Sequence, residues 1–206
     1  MAEQTEQGDR RAQFLLHMYD ETWNNINRHL TVVWQSVAVL TGAFAVFSLT
    51  EKGIVSFDLA TATIVGISAW LVGHTYDAHT WFNRNLAIIA NIERQFLRSE
   101  DEKHIHYYFK EHRSASRPIA HLALQQAFGV GVASLVLIYH FIERVLPGVG
   151  QPWRNFDPAR TLPYLMFVVS LVWLMVFRRR QIRTLEQFYR RSPGIPVEEQ
   201  KEQPTL

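Results

Sequence analysis

Four stretches of this chain contain no Asp, Glu, Lys or Arg: Thr31 to Thr50, Leu59 to Tyr76, Pro118 to Ile142 and Thr161 to Phe177. A helix needs about 20 mostly apolar residues to cross the hydrocarbon layer of a bilayer. The pattern therefore predicts four spans, at 31–50, 57–76, 119–142 and 161–177. Around them the apolar positions recur at helical spacing. Phe14, Leu15, Met18, Trp23, Ile26 and Leu30 make an amphipathic helix within 1–30 that runs into the first span. Phe82, Leu86, Ile89 and Phe96 form one stripe, with Trp81, Ile88 and Ile92 beside it. Asn83, Arg84, Glu93 and Arg94 take the other side. Nothing in the composition separates this stripe from the second span, so one helix is expected to continue beyond the apolar stretch.

Ser99-Glu100-Asp101-Glu102 matches a capping box. A second polar helix carrying Ile105, Tyr108 and Phe109 would start there and complete a helical hairpin over 77–117. Pro118 stops it, because the residue before a proline is pushed out of the α region. Asp58, at the start of the second span, is placed to cap that helix. The outer loop from Glu143 to Arg160 is rich in Pro and Gly, with Trp153 and Phe156 as interfacial anchors. After the fourth span, Leu185, Phe188 and Tyr189 carry a basic helix on. Beyond Ser192 Pro and Glu dominate, and 178–206 reads as a basic helix followed by a disordered tail. The expected fold is all-α, an integral membrane four-helix bundle whose helices extend into a cytoplasmic helical bundle.

Charge orients this arrangement. The formal charge of +2 is too small to imply a nucleic-acid partner. The basic residues cluster before the first span (Arg10, Arg11, Arg28), between the second and third (Arg84 to Arg117) and after the fourth (Arg178 to Lys201), and they are sparse in the other two loops. The positive-inside rule then places both termini and the 77–117 island on the cytoplasmic side of a plasma or inner membrane. No apolar leader with a small-residue cleavage site opens the chain, so the first span is expected to serve as its own insertion signal.

Little of the remaining chemistry suggests a reaction. With no cysteine, disulfides, thiolate nucleophiles and Cys-bound zinc are excluded. Of the nine histidines, His104 and His106 point to different helical faces, and His74 with Asp77 makes at most a local pair, so no metal or cofactor is expected. No nucleophile elbow, phosphate loop or zincin pattern is present, and an enzyme is not expected. Arg84, Asn91, Arg94 and Arg98 form a candidate docking face for a partner or small anionic ligand; the competing reading is a salt-bridged bundle surface. Gln125 and Gln126 sit inside the third span, where amides must bond across helices or line an aqueous path. Ala38 with Gly42, Ala62 with Gly66, Ala69 with Gly73 and Gly129 with Ala133 are small residues four apart, which allow close helix packing within one chain or between subunits.

The lead-in QFLLHMYDETWNNINRHL, the two-span hairpin and the polar extension WFNRNLAIIANIERQFL resemble, over residues 12–113, the SLATT group of small bacterial membrane proteins. The resemblance is one of layout, and the third and fourth spans go beyond it. It implies a pore-forming role in nucleotide-signalling conflict systems and carries over no catalytic residues. The expected function is a homo-oligomeric multi-pass protein in the lipid bilayer whose cytoplasmic helices, responding to a cytoplasmic protein or nucleotide signal, regulate a pore or membrane disruption. The alternative is a non-conducting scaffold that recruits a partner through residues 77–113.

Overall fold

The computed structural model describes residues 2–98, 101, 104, 116–152 and 156–192. Most of the capping box, the second polar helix, Trp153 and the tail after Ser192 lie outside the described residues. Among the described residues five α-helices follow in order: α1 (Ala2–Ala43), α2 (Ala45–Glu51), α3 (Phe57–Glu93), α4 (Ala120–His140) and α5 (Leu162–Arg191).

Each boundary has a local cause. Between α1 and α2 the Phe44 N–H bonds to the Thr41 carbonyl at 3.2 Å, one residue tighter than an α-turn, while Phe44 keeps helical dihedrals. α2 ends in a Schellman motif, with the Gly53 N–H donating to the Thr50 carbonyl at 3.0 Å and that of Ile54 to Leu49 at 3.0 Å. Gly53 takes the left-handed position, φ 69°, that this closure requires. At the start of α3 the Ser56 hydroxyl accepts from the Leu59 N–H at 3.2 Å. The serine thus caps this helix in place of Asp58, whose carboxylate is used elsewhere. α4 passes into one π-turn, Phe141–Val145, and then into a 3₁₀ turn, Leu146–Gly148, containing Pro147. A second 3₁₀ turn, Pro158–Thr161, leads into α5, with Asp157 accepting from the Ala159 N–H at 3.0 Å.

No strand occurs among the described residues, so the expected all-helical class holds. Among the described residues four helical stretches are long and apolar enough to cross a membrane: Glu6–Glu51, Phe57–Glu93, Ala120–Gly148 and Pro158–Arg191. They differ in how much they bury. In its most apolar stretch α3 is 56% buried, whereas the corresponding stretch ending in α5 is only 11% buried.

The chain divides into two compact units. A polar unit comprises 1–32, 78–118 and 181–206, and an apolar unit comprises 33–77 and 119–180. The polar unit is organised on Ile26, Leu86 and Ile89, with Tyr19, Trp23, Leu30, Trp81 and Phe82 packed around them. These are the positions of the helical stripes in the sequence, closed on each other. His29 stacks on Trp81 at 4.5 Å between ring centroids. The apolar unit is built on Leu40, Ala43, Ile64, Val65, Leu71, Val132 and Val136, drawn from α1, α3 and α4. Its outer surface carries large apolar side chains, including Leu124, Leu135 and Ile138 of α4 and Leu165, Val169, Val172 and Val176 of α5.

Candidate functional site

The densest chemistry in the apolar unit is a buried ion cluster where α3 begins, α4 ends and α5 begins. Asp58 lies in the first turn of α3 and is 2% exposed; His140, the last residue of α4, is fully buried. The His140 Nε2 stands 2.8 Å from Asp58 Oδ1, and its Nδ1 stands 3.1 Å from the Tyr164 hydroxyl of α5. These partners select one tautomer for a neutral ring. Nε2–H donates to the carboxylate, and Nδ1 accepts from the phenol. Phe57 stacks on the imidazole at 5.6 Å, which closes one face of the ring.

Arg144 completes the cluster. Its Nε donates to Asp58 Oδ1 at 3.2 Å and one terminal nitrogen to Oδ2 at 3.0 Å, the two-pronged geometry that a guanidinium makes with a carboxylate. The same nitrogen reaches Asp157 at 3.5 Å. Arg144 sits in the π-turn, where the widened helix repeat sets the direction of its side chain; π-turns of this kind are frequent at functional sites. Asp58 therefore accepts three hydrogen bonds with its charge matched by an arginine, the condition under which a buried carboxylate is tolerated. Chemically, the cluster ties three helix ends together and holds an imidazole between a carboxylate and a phenol. Beside it a cavity of about 680 Å³ is lined by Glu143, Arg144, Gly148, Phe156 and Arg160. Among the described residues no group of three metal-ligating side chains comes together.

The residues singled out from sequence are distributed as follows. Arg84, Arg94 and Arg98 are exposed and Asn91 is half-buried. Arg84 lies over the Phe188 ring at 5.4 Å, Asn91 donates to the Ser192 hydroxyl at 3.1 Å, and Arg94 donates to the Asn91 side-chain amide oxygen at 3.5 Å. Arg98 lies beyond the end of α3, its backbone N–H held by Asp101 at 2.8 Å. Asn91 instead lines a groove of about 590 Å³ in the polar unit. Gln125 is 4% exposed, and among the described residues neither end of its amide has a partner; the Gln126 amide nitrogen is likewise unpartnered.

The small residues divide into two sets. Ala62 and Ala69 are buried, and a methyl built on Gly66 would touch the Met166 sulfur at 3.6 Å. One on Gly73 would lie 2.5 Å from the Trp173 ring, and one on Gly129 would lie 3.3 Å from the Ser68 carbonyl oxygen. Ala133 is half-buried. Ala38 and Gly42 are exposed, and a methyl built on Gly42 meets nothing within 4 Å.

Asp58, His140, Arg144, Asp157 and Tyr164 were not legible as one site because up to 106 positions separate them, from 58 to 164. One signal was available. All five lie at span ends on the side away from the basic loops, so the topology alone gathers them on one side. Comparison with protein-family models, with curated proteins and with solved structures finds no match to this chain.

Proposed function

We propose that this chain is a multi-pass membrane protein that assembles with copies of itself through the outward face of α1 and forms a passive pore along that seam. The observation that carries the reading is the composition of that face. Gln35, Ala38 and Gly42 of α1 and Ala45 at the start of α2 follow at a spacing of three and four, all exposed, among Val, Leu and Phe. An exposed glutamine amide on a lipid-facing surface leaves hydrogen-bonding groups without partners, which hydrocarbon does not supply. Small residues at a spacing of three and four allow another helix to approach closely. A second copy satisfies both, and in a ring of copies the amide would face the enclosed water.

Further support comes from the four membrane-length helices and from the bulky apolar surface of α4 and α5, which suits lipid contact. The clustering of basic residues in the loops of the polar unit favours a cytoplasmic side for it and for both termini, where that unit would regulate the pore. The layout shared with the SLATT group points the same way. The scaffold reading draws on the groove of the polar unit, which offers a partner a surface without any conduction.

Dye leakage and single-channel conductance from purified protein in liposomes separate the two. The pore reading expects conductance that falls when a charged thiol reagent modifies Gln35→Cys, a clean experiment in a chain without cysteine. Impermeable liposomes that nonetheless hold inserted, oligomeric protein would reject the pore and leave the scaffold.

A further inference from the structure

Beyond the last turn of α4, the π-turn, the 3₁₀ turn after it and the 3₁₀ turn that leads into α5 contribute to the walls of the cavity of about 680 Å³. That volume suits a small ligand or the polar head of a larger one. Its charged lining residues, among those described, are Glu143, Arg144 and Arg160. Arg144 is committed, since Asp58 takes its Nε and one terminal nitrogen, and Asp157 takes that nitrogen as well. Glu143 and Arg160 are not committed. They line the same cavity, yet among the described residues no ion pair joins either side chain to the other or to a third group. The Arg160 Nε is shut in without an acceptor, so the guanidinium can be matched only through its terminal nitrogens. One of these would lie 2.8 Å from a methyl built on Gly148, so the arginine rests where glycine leaves room for it.

Two uncommitted charges of opposite sign, held apart across one cavity, select the ligand. A simple anion would be repelled by Glu143 and a simple cation by Arg160, whereas a zwitterion meets both. The lining also includes Val149 and Phe156, both exposed, and Phe141, Ile142 and Leu146 in the adjoining turns are exposed too. Bare apolar surface around a charged cavity suits a ligand with a zwitterionic head and a hydrocarbon tail. The end of a span is also the level of the headgroup layer of a bilayer.

We propose that this cavity holds the headgroup of a phospholipid bearing a primary ammonium, phosphatidylethanolamine by its chemistry, with the phosphate on Arg160 and the ammonium on Glu143. The inference rests on the membrane reading of the chain and not on the pore. A guanidinium matches two phosphate oxygens, and a primary ammonium offers the carboxylate three N–H donors that the quaternary head of phosphatidylcholine lacks. The test reconstitutes the full-length protein in vesicles of phosphatidylcholine, phosphatidylethanolamine and phosphatidylglycerol. Lipid retained after detergent extraction and exchange is then counted by mass spectrometry. Phosphatidylethanolamine is expected to be retained several-fold over the other two. Glu143→Gln, at an exposed position, should lower it to the level of phosphatidylcholine. Arg160→Gln should lower retention of all three, and Gly148→Ala should do so more weakly by pushing the guanidinium aside. Equal retention of the three lipids by the unaltered chain overturns the proposal, as does a preference that survives both Glu143→Gln and Arg160→Gln. Displacement of the retained lipid by an equal concentration of glycerophosphoethanolamine or alanine would assign the cavity to a soluble zwitterion and overturn the lipid assignment. Failure of the chain to float with vesicles of any composition would remove the membrane reading itself, and this proposal with it.

Discussion

Small residues at four-residue spacing occur on both α1 and α3, yet the fold treats the two helices oppositely. On α3, Gly66 and Gly73 are backed by Met166 and Trp173 of the same chain, and Gly129 of α4 lies against the backbone of Ser68. On α1, Ala38 and Gly42 face outward with nothing of the same chain over Gly42. The first set is part of how one chain packs. The second has no intrachain use, and that difference is the basis for assigning the α1 face to a second copy. The motif is identical in both places, so its meaning comes from what the rest of the fold puts opposite it.

Four substitutions sharpen the comparison by asking what the inside of the apolar unit tolerates and the outside does not need. The largest effect is expected from Asp58→Ala, which leaves His140 and Arg144 without their shared acceptor; removing one member of a buried ion pair costs about 3–5 kcal/mol. Denaturant unfolding in detergent should show it, and a loss below about 1 kcal/mol would mean that water relieves the cluster. Next is Gly73→Ala, whose methyl must displace the Trp173 ring, with an expected cost of about 1–3 kcal/mol. Trp173→Leu in the same chain should recover most of that loss, since it removes the atom that is struck. Gly53→Ala places a side chain at φ 69° and should cost about 1–2 kcal/mol without changing assembly. The smallest effect on unfolding, within about 0.5 kcal/mol, is expected from Gly42→Leu. That same substitution should nevertheless reduce the oligomer fraction measured by light scattering, because the added side chain holds a neighbouring helix away.

The helical class and the four long apolar helices were legible because charge exclusion over about 20 residues has few causes other than hydrocarbon. The continuation of α3 through Trp81, Leu86 and Ile89 was equally legible, since its stripe needed a partner and found one in Trp23, Ile26 and Leu30. The helix stops at Glu93, short of Phe96, which is left exposed. The ion cluster was hidden for a different reason. Asp58 next to a span start satisfies the rule for a capping residue, and nothing local reveals that Ser56 takes that role and releases the carboxylate for His140 and Arg144. Nor could the sequence show that Arg84 and Asn91, which share a helix, are met by Phe188 and Ser192 of α5. Helical position within one element cannot report what a distant element brings to it.

The most direct test of self-assembly through α1 uses single cysteines in this cysteine-free chain, one on each side of the comparison. Ala38→Cys, on the outward face, and Ala62→Cys, 2% exposed inside the apolar unit, are each oxidised in native membranes and run on a non-reducing gel. The account predicts a disulfide-linked dimer from Ala38→Cys and none from Ala62→Cys. A monomer from Ala38→Cys under conditions that cross-link a control cysteine elsewhere in the oligomer would contradict it.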